Sequence, residues 1–172
     1  PPYSGIGQFI QSAGTTHYII GDSLGCQIDL PVLITEPDLL QANVVSGLIP
    51  CHGGMANVEV AASGGIPPYS GTGTFLQSAG TTSYQVTDMN GCVSSVAITL
   101  TQPGQLSIST LADPIPCHGE NTIVTVSAFG GTPPYNGTGG FLQPAGSHTY
   151  TVSDSNGCTI STLVTLTEPA QL

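Results

Sequence analysis

The feature that most constrains this chain is a repeat with a period of 66 residues. Residues 64–77 read Gly-Gly-Ile-Pro-Pro-Tyr-Ser-Gly-Thr-Gly-Thr-Phe-Leu-Gln, and close relatives of this stretch occur at 1–11 and at 130–143. A fixed period of this size indicates an array of similar units, each packed against its neighbours. The fold of the chain is therefore the fold of one unit, repeated.

Two complete units and one partial unit account for the chain. Residues 38–103 align with 104–169 without a gap, and about half of the 66 positions are identical. Residues 1–37 match the second half of a unit, and 170–172 begin a further one. Because the first copy starts inside a unit, we expect the chain to be part of a longer array.

The apolar residues within a unit alternate with period two, as at Val58, Val60 and Ala62 and again at Tyr84 and Val86. Alternation of this kind is typical of strands with one buried face. Gly and Pro recur at short intervals, which favours a small sandwich of several strands. The pattern predicts an all-β fold with almost no helix, in which Pro67 and Pro68 mark a crossing segment rather than a ladder strand.

Charge excludes several functions, because the chain has no Lys or Arg, ten acidic residues and a net charge of −10. Nucleic-acid binding needs cations against phosphate, so it is not expected. An anionic membrane surface would repel the chain. No apolar run approaches the ~18 residues that cross a bilayer, so we expect no membrane insertion in this segment.

Five cysteines lie at alternating spacings of 25 and 41 residues. Two regular disulfide patterns fit. Pairing within units joins Cys51 to Cys92 and Cys117 to Cys158, and leaves Cys26 for a partner upstream of the chain. Pairing across units joins Cys26 to Cys51 and Cys92 to Cys117. We favour pairing within units, because it closes each small domain with a loop worth roughly 4 kcal/mol in the chain-entropy model; buried reduced cysteines are the remaining alternative.

The order of motifs in a unit resembles the SprB repeat, which occurs in tandem in very large surface proteins of gliding Bacteroidetes. The motifs are Cys-His-Gly, then Gly-Gly-x-Pro-Pro-Tyr, then Tyr-x-Val-x-Asp-x-Asn-Gly-Cys, and a closing Glu-Pro or Gln-Pro. The resemblance covers both complete units and the partial one. It implies tandem immunoglobulin-like β-sandwiches, export to the cell surface, and a role in adhesion or gliding filaments.

Two motifs have a structural and a chemical interpretation. Asp22, Asp88 and Asp154 precede the Gly-Cys turns, where a calcium loop would need further carboxylates and a closing Glu; a side-chain cap on the turn is the better interpretation. The adjacent Cys and His of the Cys-His-Gly motif would point to opposite faces of a strand and lack further zinc ligands. We therefore expect no metal, no cofactor and no enzymatic activity.

Two short motifs suggest glycosylation. Asn136 begins an Asn-Gly-Thr sequon, and Ser23 lies in an Asp-Ser-Leu sequence that resembles O-glycosylation sites of Bacteroidetes. Both residues are candidate modification sites.

The predicted function is a non-catalytic structural array in an extracellular stalk or surface filament. Its partners would be neighbouring repeats of the same chain, other copies in a fibre, and a substratum or glycan surface. The alternative is a secreted glycan- or ligand-binding module that uses exposed aromatic residues such as Tyr69 and Phe75.

Overall fold

The protein is all-β. The structure is a computed structural model that describes residues 2–172; Pro1, which opens the upstream copy of the repeat motif, lies outside the described residues. Within 2–172 the regular elements are twelve strands and no helix, so no helix of this part of the chain could cross a membrane. The prediction of an all-β fold from the period-two pattern is confirmed.

The strands repeat with the sequence. The partial repeat holds β1 (Gly14–Gly21) and β2 (Gln27–Ile34). The first complete repeat holds β3 (Gln41–Ser46), β4 (Met55–Ser63), β5 (Gly73–Ser78), β6 (Gly80–Thr87) and β7 (Val93–Leu100). The second holds β8 (Gly104–Ala112), β9 (Asn121–Gly131), β10 (Gly139–Pro144), β11 (Gly146–Ser153) and β12 (Thr159–Leu166).

Each complete repeat is a small sandwich of two antiparallel sheets. In the first complete repeat, β4 lies between β3 and β5, and β6 pairs with β7. In the second, β9 lies between β8 and β10, and β11 pairs with β12. The β1–β2 hairpin has the register of the later two-stranded sheets, with Gly14 opposite Ile34 as Gly80 is opposite Leu100.

Each complete repeat encloses its own core, to which both of its sheets contribute. Val58 from β4 and Val86 from β6 are fully buried, and Val124 and Val152 occupy the same places 66 residues later. Between the buried Val58 and Val60, Glu59 is exposed. This alternation buries one face of each strand, as the sequence pattern predicts.

The Gly-Gly-x-Pro-Pro-Tyr stretch connects β4 to β5 and lies outside the strands. Gly65 has a φ of 60°, and a Cβ there would collide with the carboxylate of Asp88. The hydroxyl of Tyr69 donates to the carbonyl of Gly64 at 2.7 Å, and Ser70 forms a β-bridge with Thr87 at the end of β6. The stretch therefore contacts both sheets, as a crossing segment must.

Candidate functional site at the junction of the complete repeats

A carboxylate organises the turn between the last two strands of each repeat. Asp154 lies between β11 and β12, and its Oδ1 accepts hydrogen bonds from the N–H groups of Asn156 at 3.0 Å and Cys158 at 2.9 Å. Its Oδ2 accepts a third from Thr132, at 2.9 Å, in the segment after the two glycines. The carboxylate therefore shapes the turn and fixes it to the Gly-Gly segment.

The same arrangement recurs in the other repeats. Asp88 accepts from Asn90, Cys92 and Ile66 at 2.8–2.9 Å. Asp22 accepts from the N–H groups of Leu24 and Cys26, both at 2.9 Å. The prediction that these aspartates cap their turns is confirmed.

Hydrogen bonding lowers the pKa of both buried aspartates below the ordinary value near 3.8. At Asp88 the N–H of Ile66 is the largest cause of the lowered pKa and acts against burial. At Asp154 burial is the largest influence and raises the pKa, but the N–H donors of Thr132, Cys158 and Asn156 together outweigh it. Both groups are therefore held as carboxylates at neutral pH.

The Cys-His-Gly loop lies at the other end of its repeat, against the residues that follow the last strand. The N–H of Gly53 donates to Oε1 of Gln102 at 2.8 Å, and Nδ1 of His52 is 3.1 Å from the carbonyl oxygen of Pro103. These bonds fix the loop of Cys51 beside the point where the next repeat begins.

The second complete repeat preserves this tie with a charged residue. The N–H of Gly119 donates to Oε2 of Glu168 at 2.7 Å, and Nδ1 of His118 lies 3.0 Å from Oε1 of the same carboxylate. In both repeats the histidine thus contacts the closing residues of its own unit.

A disulfide joins the two complete repeats. Cys51 of the first is bonded to Cys158 of the second, with 5.8 Å between their Cα atoms and a sequence separation of 107 residues. Cys26, Cys92 and Cys117 are free and exposed. The predicted pairings of Cys51 with Cys92 and of Cys117 with Cys158 are therefore wrong.

The reason lies in the direction of the closing strand. Cys92 immediately precedes β7, whereas the loop of Cys51 is bonded to Gln102 and Pro103, which follow β7. An eight-residue strand spans roughly 25 Å, and a disulfide needs Cα atoms about 4.4–6.8 Å apart. The two cysteines of one repeat thus lie at its opposite ends.

The alternative of Cys26 with Cys51 and Cys92 with Cys117 is also wrong, because Cys51 is bonded elsewhere and Cys92 and Cys117 are free. We call Cys51 and Cys117, of the Cys-His-Gly loops, leading cysteines, and Cys26, Cys92 and Cys158, of the Asn-Gly or Leu-Gly turns, trailing cysteines. The structure pairs a leading cysteine with the trailing cysteine of the following repeat.

A polar contact accompanies the disulfide. Nδ2 of Asn156 donates to the carbonyl of Pro50 in the preceding repeat at 2.9 Å and lies 3.0 Å from Oγ1 of Thr132 in its own repeat. The Asn-Gly turn was predicted from the sequence as a hairpin turn only; its role in joining repeats was not. Only the position of the turn at the end of a repeat, which the sequence leaves open, would have indicated it.

No protein-family model matches this chain, and no curated protein matches it. The junction is therefore interpreted from its own geometry. Its chemistry is that of a covalent link that can be opened by reduction, held between two separately packed cores.

The remaining candidate residues do not gather at the junction. Ser23 and Asn136 are exposed, so glycosylation at both stays a prediction. Tyr69 is half-buried, and Phe75 packs on Tyr84 with ring centroids 5.1 Å apart. Among residues 2–172, no group of three or more His, Cys, Asp or Glu side chains could hold a metal ion.

Proposed function

We propose that this chain is part of a non-catalytic structural array in an extracellular stalk or surface filament. The observation that carries the proposal is the disulfide between Cys51 and Cys158, which links successive repeats rather than closing one. Disulfides persist in oxidising environments outside the cytoplasm. The resemblance to SprB repeats supports the narrower proposal of a surface adhesin or gliding filament.

The disulfide gives the array a mechanical role. Tension applied along the chain would enter at Cys51 and leave at Cys158, and would bypass β4 to β11 and the joint between the repeats. The two repeats would then resist extension by a covalent bond as well as by their cores. A joint of three residues between β7 and β8 limits bending further.

The surface of the array is polar without being cationic. Hydroxyl pairs lie across the two-stranded sheets, with Thr81 and Thr99 2.8 Å apart and Thr151 and Ser161 2.7 Å apart. These exposed pairs offer hydrogen-bonding groups to a substratum or to another filament. Adhesion in the proposed array would therefore depend little on salt, because it does not use ion pairs.

Force spectroscopy on the full chain, held at its two ends, tests the mechanical role. The oxidised chain should unfold without releasing the segment between Cys51 and Cys158, and reduction should add roughly 360 Å of contour length for those 107 residues. A double variant with Cys51→Ser and Cys158→Ser should give the long contour under both conditions. Equal contour lengths for the oxidised and reduced native chain would overturn the proposal of a covalent bypass.

Direct imaging tests the array itself. Native material should form thin, straight fibres with a regular axial bead, whereas compact separate particles would contradict the filament proposal.

A further inference from the structure

We propose that Cys117 is the docking and cross-linking site for a second copy of this chain, and that it forms a disulfide with Cys26 of that copy. The contact would repeat, between chains, the junction that Cys51 and Cys158 form within one chain. This inference rests on the proposed array and adds its mode of assembly.

The surface around Cys117 has the residues of the occupied junction. In the first complete repeat, Pro50, Cys51 and the closing Pro103 lie where the next repeat docks. The second complete repeat presents their equivalents, and a hollow there is lined by Pro116, Cys117, His118, Pro169, Ala170 and Leu172. His118 and Gly119 are tied to Glu168 as His52 and Gly53 are tied to Pro103 and Gln102.

The turn of Cys26 has the geometry of the turn that docks. Asp22 accepts from the N–H groups of Leu24 and Cys26 as Asp154 accepts from those of Asn156 and Cys158. Cys26 is an exposed free thiol on the first hairpin of the chain. Leu24 stands where Asn156 bonds Pro50, so the contact between copies keeps the disulfide and lacks that hydrogen bond.

Cys92 is also a free trailing cysteine, but its turn lies at the end of its repeat that adjoins the partial repeat. The preceding chain occupies that side, as the closing residues of the first complete repeat do at the observed junction, where Thr101 and Gln102 lie beside Thr132 and Asn156. Cys26 has no earlier repeat beside it within residues 2–172. Cys117 and Cys26 are separated by most of both complete repeats, so the link joins two copies head to tail and leaves each end open for another copy.

A small-molecule disulfide such as oxidised glutathione supplies the oxidant. The thiolate of Cys117 attacks it, forms a mixed disulfide and releases one glutathione thiolate. The thiolate of Cys26 from the second copy then attacks the Cys117 sulfur and releases the second glutathione. Two protein thiols and one glutathione disulfide thus give one protein disulfide and two reduced glutathiones.

The test is oligomer formation by the full chain in a glutathione redox buffer, followed by non-reducing electrophoresis. The native chain should form a ladder of oligomers that collapses on reduction. Cys117→Ser and Cys26→Ser should each abolish the ladder, whereas Cys92→Ser, the matched control at an equally exposed cysteine, should preserve it. A native chain that stays monomeric, or a ladder lost only with Cys92→Ser, would overturn the proposal.

Peptide mapping identifies the bond. Acid-specific proteolysis suits a chain without Lys or Arg, and Asp22 and Asp29 flank Cys26 as Asp113 and Glu120 flank Cys117. The cross-linked peptide should join these two segments, and one thiol per chain, that of Cys92, should stay free. Links of Cys117 to Cys117, or of Cys26 to Cys26, would show unspecific oxidation and contradict the proposal.

The same map shows whether the variants are folded, because each should retain the bond between Cys51 and Cys158. It also separates the two proposals. Loss of that internal bond in the native chain would contradict the proposed array, whereas its retention without a link between copies would contradict only the mode of assembly.

Discussion

At the scale of single residues, the capping aspartates connect the turns to the rest of the repeat. Asp88 and Asp154 are only 6% and 3% exposed, and each carboxylate accepts three backbone N–H groups from two segments of the chain. Buried donors left without an acceptor would be costly. The turn and the Gly-Gly segment therefore depend on the ionised side chain.

Stability should consequently fall at low pH. Because the pKa of Asp88 and of Asp154 is lower in the folded state than in the unfolded state, the unfolded state binds more protons as the pH drops below about 3.8. The stabilisation is present above that value and is lost as the pH falls through the folded pKa. Urea midpoints at pH 7 and at pH 2.5 measure this, and equal midpoints would contradict it.

Asp88→Asn should lower the melting temperature at neutral pH by roughly 5–10 °C, since an amide NH₂ would face the N–H of Ile66 in place of an acceptor. It should also weaken the acid sensitivity. Glu59→Gln is the matched control, because that side chain is exposed on β4, and it should change neither property.

Two tyrosines of one repeat should respond in opposite ways to loss of the hydroxyl. Tyr69→Phe removes the hydrogen bond to Gly64 and should cost about 1 kcal/mol. Tyr84→Phe removes a buried hydroxyl that has no hydrogen-bond partner among the described residues, so stability should stay constant or rise by up to about 1 kcal/mol. Chemical denaturation measures both; a larger loss for Tyr84→Phe than for Tyr69→Phe would show that the Tyr84 hydroxyl has a partner.

At the scale of elements, the connection between β4 and β5 depends on glycines at close approaches. Gly71 has a φ of 81°, and a Cβ there would collide with the backbone carbonyl of Gln85 in β6. Gly91, in the turn before β7, also has a φ of 81°, but a Cβ there would meet open space. The two positions share backbone strain and differ in the contact.

Gly71→Ala should therefore destabilise the repeat more than Gly91→Ala. Gly91→Ala should cost about 1–2 kcal/mol from the left-handed backbone alone, and Gly71→Ala should cost more, since β5 and β6 must separate around the added methyl group. Equal free energies of unfolding for the two variants would show that the connection yields without strain.

At the scale of the whole molecule, the two complete repeats have separate cores and a shared covalent link. Val58 and Val124 are fully buried at equivalent positions, one in each core. Val58→Ala should destabilise residues 38–103 by about 2–3 kcal/mol through lost contacts and a cavity. Val124→Ala should do the same to 104–169.

Amide hydrogen exchange resolves the two repeats. Protection should fall mainly in the repeat that carries the substitution, because each core draws its residues from one repeat. Equal loss of protection in both repeats after a single substitution would show instead that the array unfolds as one cooperative unit.

The sequence by itself determined the repeat, the strands and the role of the aspartates. Alternation at Val58 and Val60 places one face of β4 inside because side chains alternate along any strand. Asp88 caps its turn because its partners lie within a few residues, apart from Ile66. Such local relations are readable without a fold.

Only the tertiary structure decided which cysteines meet. Spacing presents Cys51 and Cys92 as a natural pair, but their separation in space depends on the strands between them and on the direction of β7. The closing strand carries the chain away from Cys92 and ends beside the loop of Cys51, where the next repeat presents Cys158. A disulfide forms between the ends that meet, and those ends belong to different repeats.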